Sequence, residues 1–320
     1  MKALPNEPVP PVIKTDEPSN SLITTPCPVR GHTRGQFKCL VAHPWLRAVR
    51  NNARVAPSVS IQICTLNEAD NIEQCLESVW ATGPDEVIVI DGGSSDATEE
   101  IARDMGAKVL TPGRLGLGPS RQLGYRSTDC VYTAFVDADD RLPSSWVSDM
   151  VRELEDGGYS ALQSSLRALP EGSWWDRSWD AYFQESVQPR ADTTMVGRPA
   201  LFRTSDLLRV EEDLTSLDED THLSRAFELL GLRQGVGNAV ALRRVETTKR
   251  ENTAKWRSYG RGYRGFVKDH PDRRGAIYRH MLIMIPLVRG FRPVLRGHLT
   301  QPAFALLMAS SIFAGWREAA

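Results

Sequence analysis

From Val59 onward short β-prone runs alternate with amphipathic stretches, and this alternation leaves the chain few ways to fold. Val59-Ser60-Ile61-Gln62-Ile63-Cys64 reads as a strand, and Ala69 to Trp80 as a helix with Ile72, Leu76, Val79 and Trp80 on one face. Glu86 to Ile90 is a second strand ending at Asp91, Lys108 to Leu110 a third, and Val131 to Val136 a fourth. A helix from Ala97 fits between the second and third, with Asp96 and Glu99 spaced as a capping box. Strands separated by helices imply a mostly parallel sheet covered on both faces. Ligands bind such sheets beyond the carboxyl ends of the strands. Asp91 and Asp137 both stand at such ends, so they are expected to converge on one crevice.

The fourth strand runs directly into Asp137-Ala138-Asp139-Asp140. An Asp-rich turn leading to Leu142-Pro143 would account for these acids. Yet crowded carboxylates disfavour one another's charge unless a cation or a set of donors holds them. Upstream, Gly116 to Gly124 forms a glycine-rich loop leading into a helix, with Arg121 expected in its first turn. Downstream, Asp218-Glu219-Asp220 opens a helix from Glu219 to Leu230 that stops at Gly231. Acids in a first helical turn are also favoured by the macrodipole, so the pair does not speak for chemistry on its own.

At 320 residues and 41% hydrophobic, the chain can bury a full core. A formal net charge of −1 gives no signal for nucleic acid as a partner. Five scattered cysteines (Cys27, Cys39, Cys64, Cys75 and Cys130) suit a reducing compartment. The N-terminus lacks a basic-then-apolar leader, and no apolar run reaches the ~18 residues that span a bilayer. The expected location is cytoplasmic. Seven prolines between Pro5 and Pro28 make residues 1–55 an irregular arm. Cys27, His32, Cys39 and His43 lie within it, at spacings that match no zinc template. Trp174, Trp175, Trp179, Tyr182 and Phe183 suit a packed helix face better than a sugar groove. Towards the C-terminus, Met281 to Val288 and Phe304 to Phe313 are apolar blocks with Arg289, Arg292 and Arg296 between them. That mixture suits helices lying on an anionic membrane surface, or a basic subdomain packed on the core.

Taken in order, six stretches resemble the family-2 glycosyltransferases of GT-A fold: Ile63 to Glu68, Val89 to Asp96, Ser120 to Gly124, Val136 to Asp140, Glu219-Asp220 and Tyr259-Gly260-Arg261-Gly262. The resemblance implies an α/β GT-A (Rossmann-like) mixed, mostly parallel sheet over residues 56–245; the composition beyond it gives a helical basic and apolar region over 246–320. It implies transfer of a sugar from a nucleotide-sugar donor, UDP- before GDP-linked, to an acceptor hydroxyl with inversion. Thr65, Asn67, Glu68, Asp91, Gly92, Asp96, Arg121, Asp137 and Ala138 would bind the donor. Asp139 would ligate Mg²⁺ or Mn²⁺, which prefer carboxylate oxygens. Asp220, with Glu219, would act as general base.

Many relatives carry a histidine shortly before the Tyr-Gly-Arg-Gly stretch, where Ala241-Leu242-Arg243-Arg244-Val245-Glu246 stands here. Arg243 or Arg244 would then bind the donor diphosphate instead. A glycan or lipid-linked acceptor, handled peripherally at the inner face of a membrane, fits the C-terminal composition. The competing readings are a sugar-nucleotide nucleotidyltransferase and an inactive nucleotide-sugar binder. The first wants a basic glycine-rich loop after the first strand, where Cys64-Thr65-Leu66-Asn67-Glu68 stands; the second wants the acids lost.

Overall fold

The computed structural model describes residues 58–210 and 219–319; the N-terminal arm with Cys27, His32, Cys39 and His43, and also Asp218, lies outside the described residues. The elements are β1 (Val59–Thr65), α1 (Ala69–Trp80), β2 (Glu86–Asp91), α2 (Thr98–Asp104), β3 (Lys108–Leu110), α3 (Leu117–Arg126), β4 (Tyr132–Asp137) and β5 (Asp140–Arg141). Then come α4 (Trp146–Gly157), β6 (Ala161–Ala168), α5 (Trp174–Ser186), β7 (Ala200–Arg203), α6 (Glu219–Leu229), β8 (Gln234–Arg243), α7 (Lys249–Asp269) and α8 (Gln301–Glu318).

Among the described residues the eight strands form one sheet, in the order β3-β2-β1-β4-β7-β6-β8-β5. β1 lies parallel between β2 and β4, and β2 pairs in parallel with β3. β7 runs antiparallel to both β4 and β6, and β5 antiparallel to β8. The apolar runs of β1, β2 and β4 are buried on both faces, as helix-covered parallel strands must be.

Two local expectations need correcting. The capping box at Asp96 does not form: Asp96 accepts from the Thr98 and Ala69 backbone N–H groups instead of from Glu99. Its carboxylate therefore ties α2 to the start of α1. The second correction concerns α3, which begins at Leu117 behind Gly116 (φ 87°), so Arg121 falls beyond the first turn. Pro119 is tolerated there because the first N–H groups of a helix have no intrahelical partner. Gly124 lets α3 pack close on β1, since a Cβ there would lie 2.5 Å from Oε1 of Gln62. That close approach brings Arg121 down onto the sheet.

The described residues cluster as one compact unit, and the C-terminal helices share its core. The aromatic segment forms α5 and packs: Trp179 and Phe304 have centroids 5.4 Å apart, Trp256 and Phe304 5.2 Å, and Trp174 and Trp175 4.5 Å. Trp179 Nε1 donates to Asn252 Oδ1 at 2.7 Å, which satisfies the buried indole. Of the two apolar blocks, Met281, Ile285, Phe304, Ala305, Met308 and Ile312 are buried in this core. No helix among the described residues is long and apolar enough to cross a membrane.

α7 starts with a true capping box, Thr248 and Glu251 each accepting from the other's backbone N–H at 3.2 Å. It then crosses α8 backbone to backbone. A Cβ on Gly260 would lie 1.9 Å from the Ile312 carbonyl oxygen, and one on Gly315 would lie 2.0 Å from that of Arg257. Backbone cannot step aside as a side-chain tip can. Gly260→Ala is therefore expected to cost about 3 kcal/mol or more, the upper end of overpacking. Thermal unfolding of the variant checks this; an unchanged melting temperature would disprove the contact.

Candidate active site

Parallel register sets the site. Across β1, Thr65 pairs with Asp91 and Cys64 with Asp137, so the carboxyl ends of β2, β1 and β4 meet in one crevice. On one side, Asp91 is fully buried and committed to its own turn. It accepts from the N–H groups of Gly93 (3.0 Å) and Ser94 (2.8 Å), the Ser94 hydroxyl (2.5 Å) and the Thr65 hydroxyl (3.1 Å). The Gly92 N–H donates to the Thr65 carbonyl oxygen at 2.9 Å. Asn67, at φ 57°, accepts from Ser95 N–H at 2.8 Å and fastens the same turn to the end of β1. These residues shape the crevice wall.

On the other side, Asp137 is caged by three guanidiniums. Arg121 Nη2 donates to it at 2.9 Å, Arg198 Nε at 2.9 Å and Arg243 Nη2 at 3.0 Å. Burial alone would raise its pKa, but Arg198, Arg243 and Arg121 together hold the carboxyl well below the ordinary range. Arg243 arrives by sheet register, because it pairs with Asp140 across the β5–β8 ladder. Its Nε and Nη2 reach Asp140 at 2.7 and 2.8 Å, a bidentate fork. Burial pushes the Asp140 carboxyl up to about 6, with Arg243 opposing and Asp139 and Asp137 adding. The neighbouring Ala138 is buried and gives its carbonyl to Arg141 at 3.2 Å.

Asp139 differs from its neighbours. Its side chain is 25% exposed, and Arg243 Nε stands off at 3.6 Å. Its Oδ1 is buried without a hydrogen-bond partner among the described residues. Carboxylate oxygens of Asp137, Asp139 and Asp140 all come within 4.8 Å of one another, close enough for one ion. Five carboxylates, counting Glu219 and Asp220, share three guanidiniums, so the cluster is short of positive charge. An orphaned buried oxygen in an all-oxygen, electron-rich setting fits a hard divalent cation. Beside Asp139 opens a cavity of about 280 Å³, lined also by Glu68, Asn71, Arg244, Glu246 and Glu251. Burial raises the Glu68 pKa, the Asn71 hydrogen bond opposes it, and Asp139 and Asp137 raise it further. Arg244 sits at the rim, with Nη1 on Asn71 Oδ1 at 2.9 Å and Nε on Glu171 at 3.2 Å.

At the start of α6 the two adjacent acids have different surroundings. Glu219 is 2% exposed and takes Arg121 Nε at 3.1 Å and Arg198 Nη1 at 2.5 Å. Asp220 is 21% exposed at its side chain; its Oδ1 accepts from Thr221 N–H at 2.8 Å, and Arg198 stands 3.6 Å away. Burial raises its pKa, with Arg198 opposing and Glu219 adding. Glu219 joins the cage, while Asp220 stays partly exposed at its edge. Arg198 was not foreseen: a single arginine ahead of β7 carries no sequence pattern, and its partners lie 61 and 21 residues away.

This sheet, with its acid cluster at the end of β4, has known counterparts. Residues 60–207 match the glycosyl transferase family 2 profile. They belong to that family. The chain is 28% identical over 149 residues to glycosyltransferase AglE of Haloferax volcanii, covering 42% of this chain and 49% of that protein. It is 35% identical over 118 residues to the low-salt glycan biosynthesis hexosyltransferase Agl6 of the same organism, covering 35% of this chain and 28% of the relative. The matches thus span half the length of these relatives or less. Among solved structures, the mannosyltransferase PcManGT of Pyrobaculum calidifontis, in complex with GDP-Man and Mn²⁺, superposes with a TM-score of 0.52 at 19% identity. That superposition covers 86% of this chain and 81% of the mannosyltransferase. TarS 1–349 of S. aureus, in complex with UDP, gives 0.50 at 17% identity over 82% and 90% of the two chains. The fold they share with the family 2 segment is GT-A.

Proposed function

We propose that the chain transfers a sugar from a nucleoside diphosphate donor to an acceptor hydroxyl with inversion at the anomeric carbon. The observation that carries this reading is the split between a caged Asp137 and an Asp139 Oδ1 that takes no hydrogen bond among the described residues, with a partly exposed Asp220 beside Arg198. Asp139, with Asp137 or Asp140 behind it, would hold Mg²⁺ or Mn²⁺, and the ion when bound supplies charge to offset the departing nucleoside diphosphate. Arg243 and Arg198 present guanidinium edges towards the same anion. The turn held by Asn67, Asp91 and Asp96 forms the wall for base and ribose, with Glu68 beside it. Asp220 takes the acceptor proton as the hydroxyl attacks, on the face opposite the leaving group. Glu219 holds Arg121 and Arg198 in place.

A lipid-linked or envelope glycan acceptor, met at an anionic membrane surface, is supported by Leu282, Ile283, Leu287, Phe291, Leu295 and Leu299. All six are exposed, and Arg289, Arg292 and Arg296 lie among them. Comparisons with a UDP complex and with a GDP-Man complex leave both nucleotides to test. Thermal-shift and donor-hydrolysis screening against UDP- and GDP-sugars with Mn²⁺ tests the reading. One donor is expected to stabilise the protein and to release nucleoside diphosphate slowly, both only with the ion. No stabilisation and no release across the panel would overturn it.

A further inference from the structure

A second cavity, of about 470 Å³, lies against the C-terminal helices, and none of the crevice residues line it. Arg261, Arg264 and Lys268 reach it from one stripe of α7, at the three- and four-residue spacing that stacks side chains on one helix face. Arg274 closes a further side, and Tyr278 and Trp316 form an aromatic wall with ring centroids 5.3 Å apart. Lys255 and Tyr259 belong to a different stripe of α7, about half a turn away from Arg261 and Lys268. Lys255 bonds Glu246, a residue lining the cavity beside Asp139. The two cavities therefore lie on different faces of α7.

Four cations around one hole repel one another unless an anion joins them. Little protein anion is available. Glu318 reaches Arg261 at 3.2 Å and is shared with Arg257 at 3.5 Å. The acids nearest in sequence turn elsewhere: Asp272 to Arg225 at 2.8 Å, and Asp269 towards His222 at 4.0 Å. Lys268 and Arg274 have no ion pair among the described residues. Arg264 and Arg274 lie against the aromatic wall instead, 5.9 Å from the Trp316 centroid and 5.6 Å from that of Tyr278. Arg264 spends one N–H on the Trp316 carbonyl oxygen at 3.3 Å, and the remaining guanidinium edges, backed by ring faces, can turn to a multi-oxygen anion. The volume is in the range of small-ligand sites.

We propose that this cavity binds a phosphate-bearing anion, at a site separate from the donor crevice. Two sources offer that chemistry: a free phosphate or diphosphate, and the headgroup of an anionic lipid. Lys268 and Arg274 are exposed, so their removal leaves the core intact.

The test uses the full chain in EDTA without donor, so its outcome is independent of transferase activity. Inorganic pyrophosphate is titrated calorimetrically, and flotation is measured with phosphatidylglycerol and with phosphatidylcholine vesicles. Wild type is expected to bind pyrophosphate, phosphatidylglycerol vesicles or both, and not phosphatidylcholine vesicles. Lys268→Ser with Arg274→Ser should weaken that binding on the order of tenfold or more, at roughly 1 kcal/mol for each cation near an anionic surface. Arg152→Ser with Arg209→Ser removes two exposed cations far along the chain and should change nothing. Binding of pyrophosphate alone assigns a soluble ligand, and binding of vesicles alone assigns the headgroup. Absence of binding to either probe overturns the proposal, as does equal loss in both double variants, which would mean unspecific charge attraction.

Discussion

Asp220→Asn is expected to lower sugar transfer on the order of 10²- to 10⁴-fold, the range for losing a general base, while nucleoside diphosphate affinity stays nearly unchanged. Asparagine keeps the shape and the hydrogen bond from Thr221 N–H, and Asp220 makes no closer contact with Arg198 than 3.6 Å. The cage would therefore survive the change. Steady-state transfer and calorimetric nucleotide binding on the same sample separate the outcomes; an equal fall in both would make Asp220 a donor ligand. The pH dependence adds a signed test. Burial raises the Asp220 pKa, so the charged base, and with it the rate, is lost as pH falls through a value above the ordinary aspartate range. Arg198 favours the charged form, so Arg198→Gln should move this acid limb to higher pH. A limb that stayed in place or moved down would exclude the coupling.

Asp139→Ala is expected to remove divalent-ion binding and most turnover. The Asp139 Oδ1 has no hydrogen-bond partner among the described residues, so truncation gives up only the 3.6 Å ion pair with Arg243. Charge stabilisation by a bound ion is worth several kcal/mol. At about 1.4 kcal/mol per tenfold, that predicts a loss on the order of 10³-fold. Mn²⁺ titration followed by electron paramagnetic resonance reports the binding loss without reference to activity, and chelation of the wild type should reproduce the kinetic loss. A variant that retained Mn²⁺ affinity would shift the ligand role to Asp137 and Asp140. Thermal unfolding should be little changed, in contrast with Gly260→Ala.

Much of this arrangement could be read from the chain because its signals are local. β1, β2 and β4 are dense in β-branched or aromatic residues, and each ends in a polar turn, so their type and their acids at the carboxyl ends follow from short windows. What escaped depends on partners distant in sequence. Arg243 was legible as a site residue, but its fork on Asp140, 103 residues away, comes from a two-residue strand too short for any periodicity to reveal. Arg198 has no pattern around it. The Asp96 capping box failed because a tertiary partner, the Ala69 N–H, competed for the same carboxylate. The apolar C-terminal blocks were ambiguous for a physical reason: some of their side chains fill the core around Trp256 and others face outward, so composition alone described both fates. Asp220 stood ahead of Glu219 as the base in sequence, but the burial and the Arg121 and Arg198 bonds that hold Glu219 in the cage come from distant residues.

The three-arginine cage also bears on where this chain can be cut. Asp137 takes its guanidiniums from 16 residues upstream and from 61 and 106 residues downstream. A shortened protein ending where the family match ends, at residue 207, would keep Arg121 and Arg198 but forfeit Arg243, Glu219 and Asp220. Arg121 and Arg198 would then share Asp137, and β6 would become a bare edge without β8, open to pairing with other chains. The homologous segment is thus shorter than the smallest self-sufficient piece. Expression limits are better drawn from the electrostatic closure of the site, which runs through β8, than from similarity.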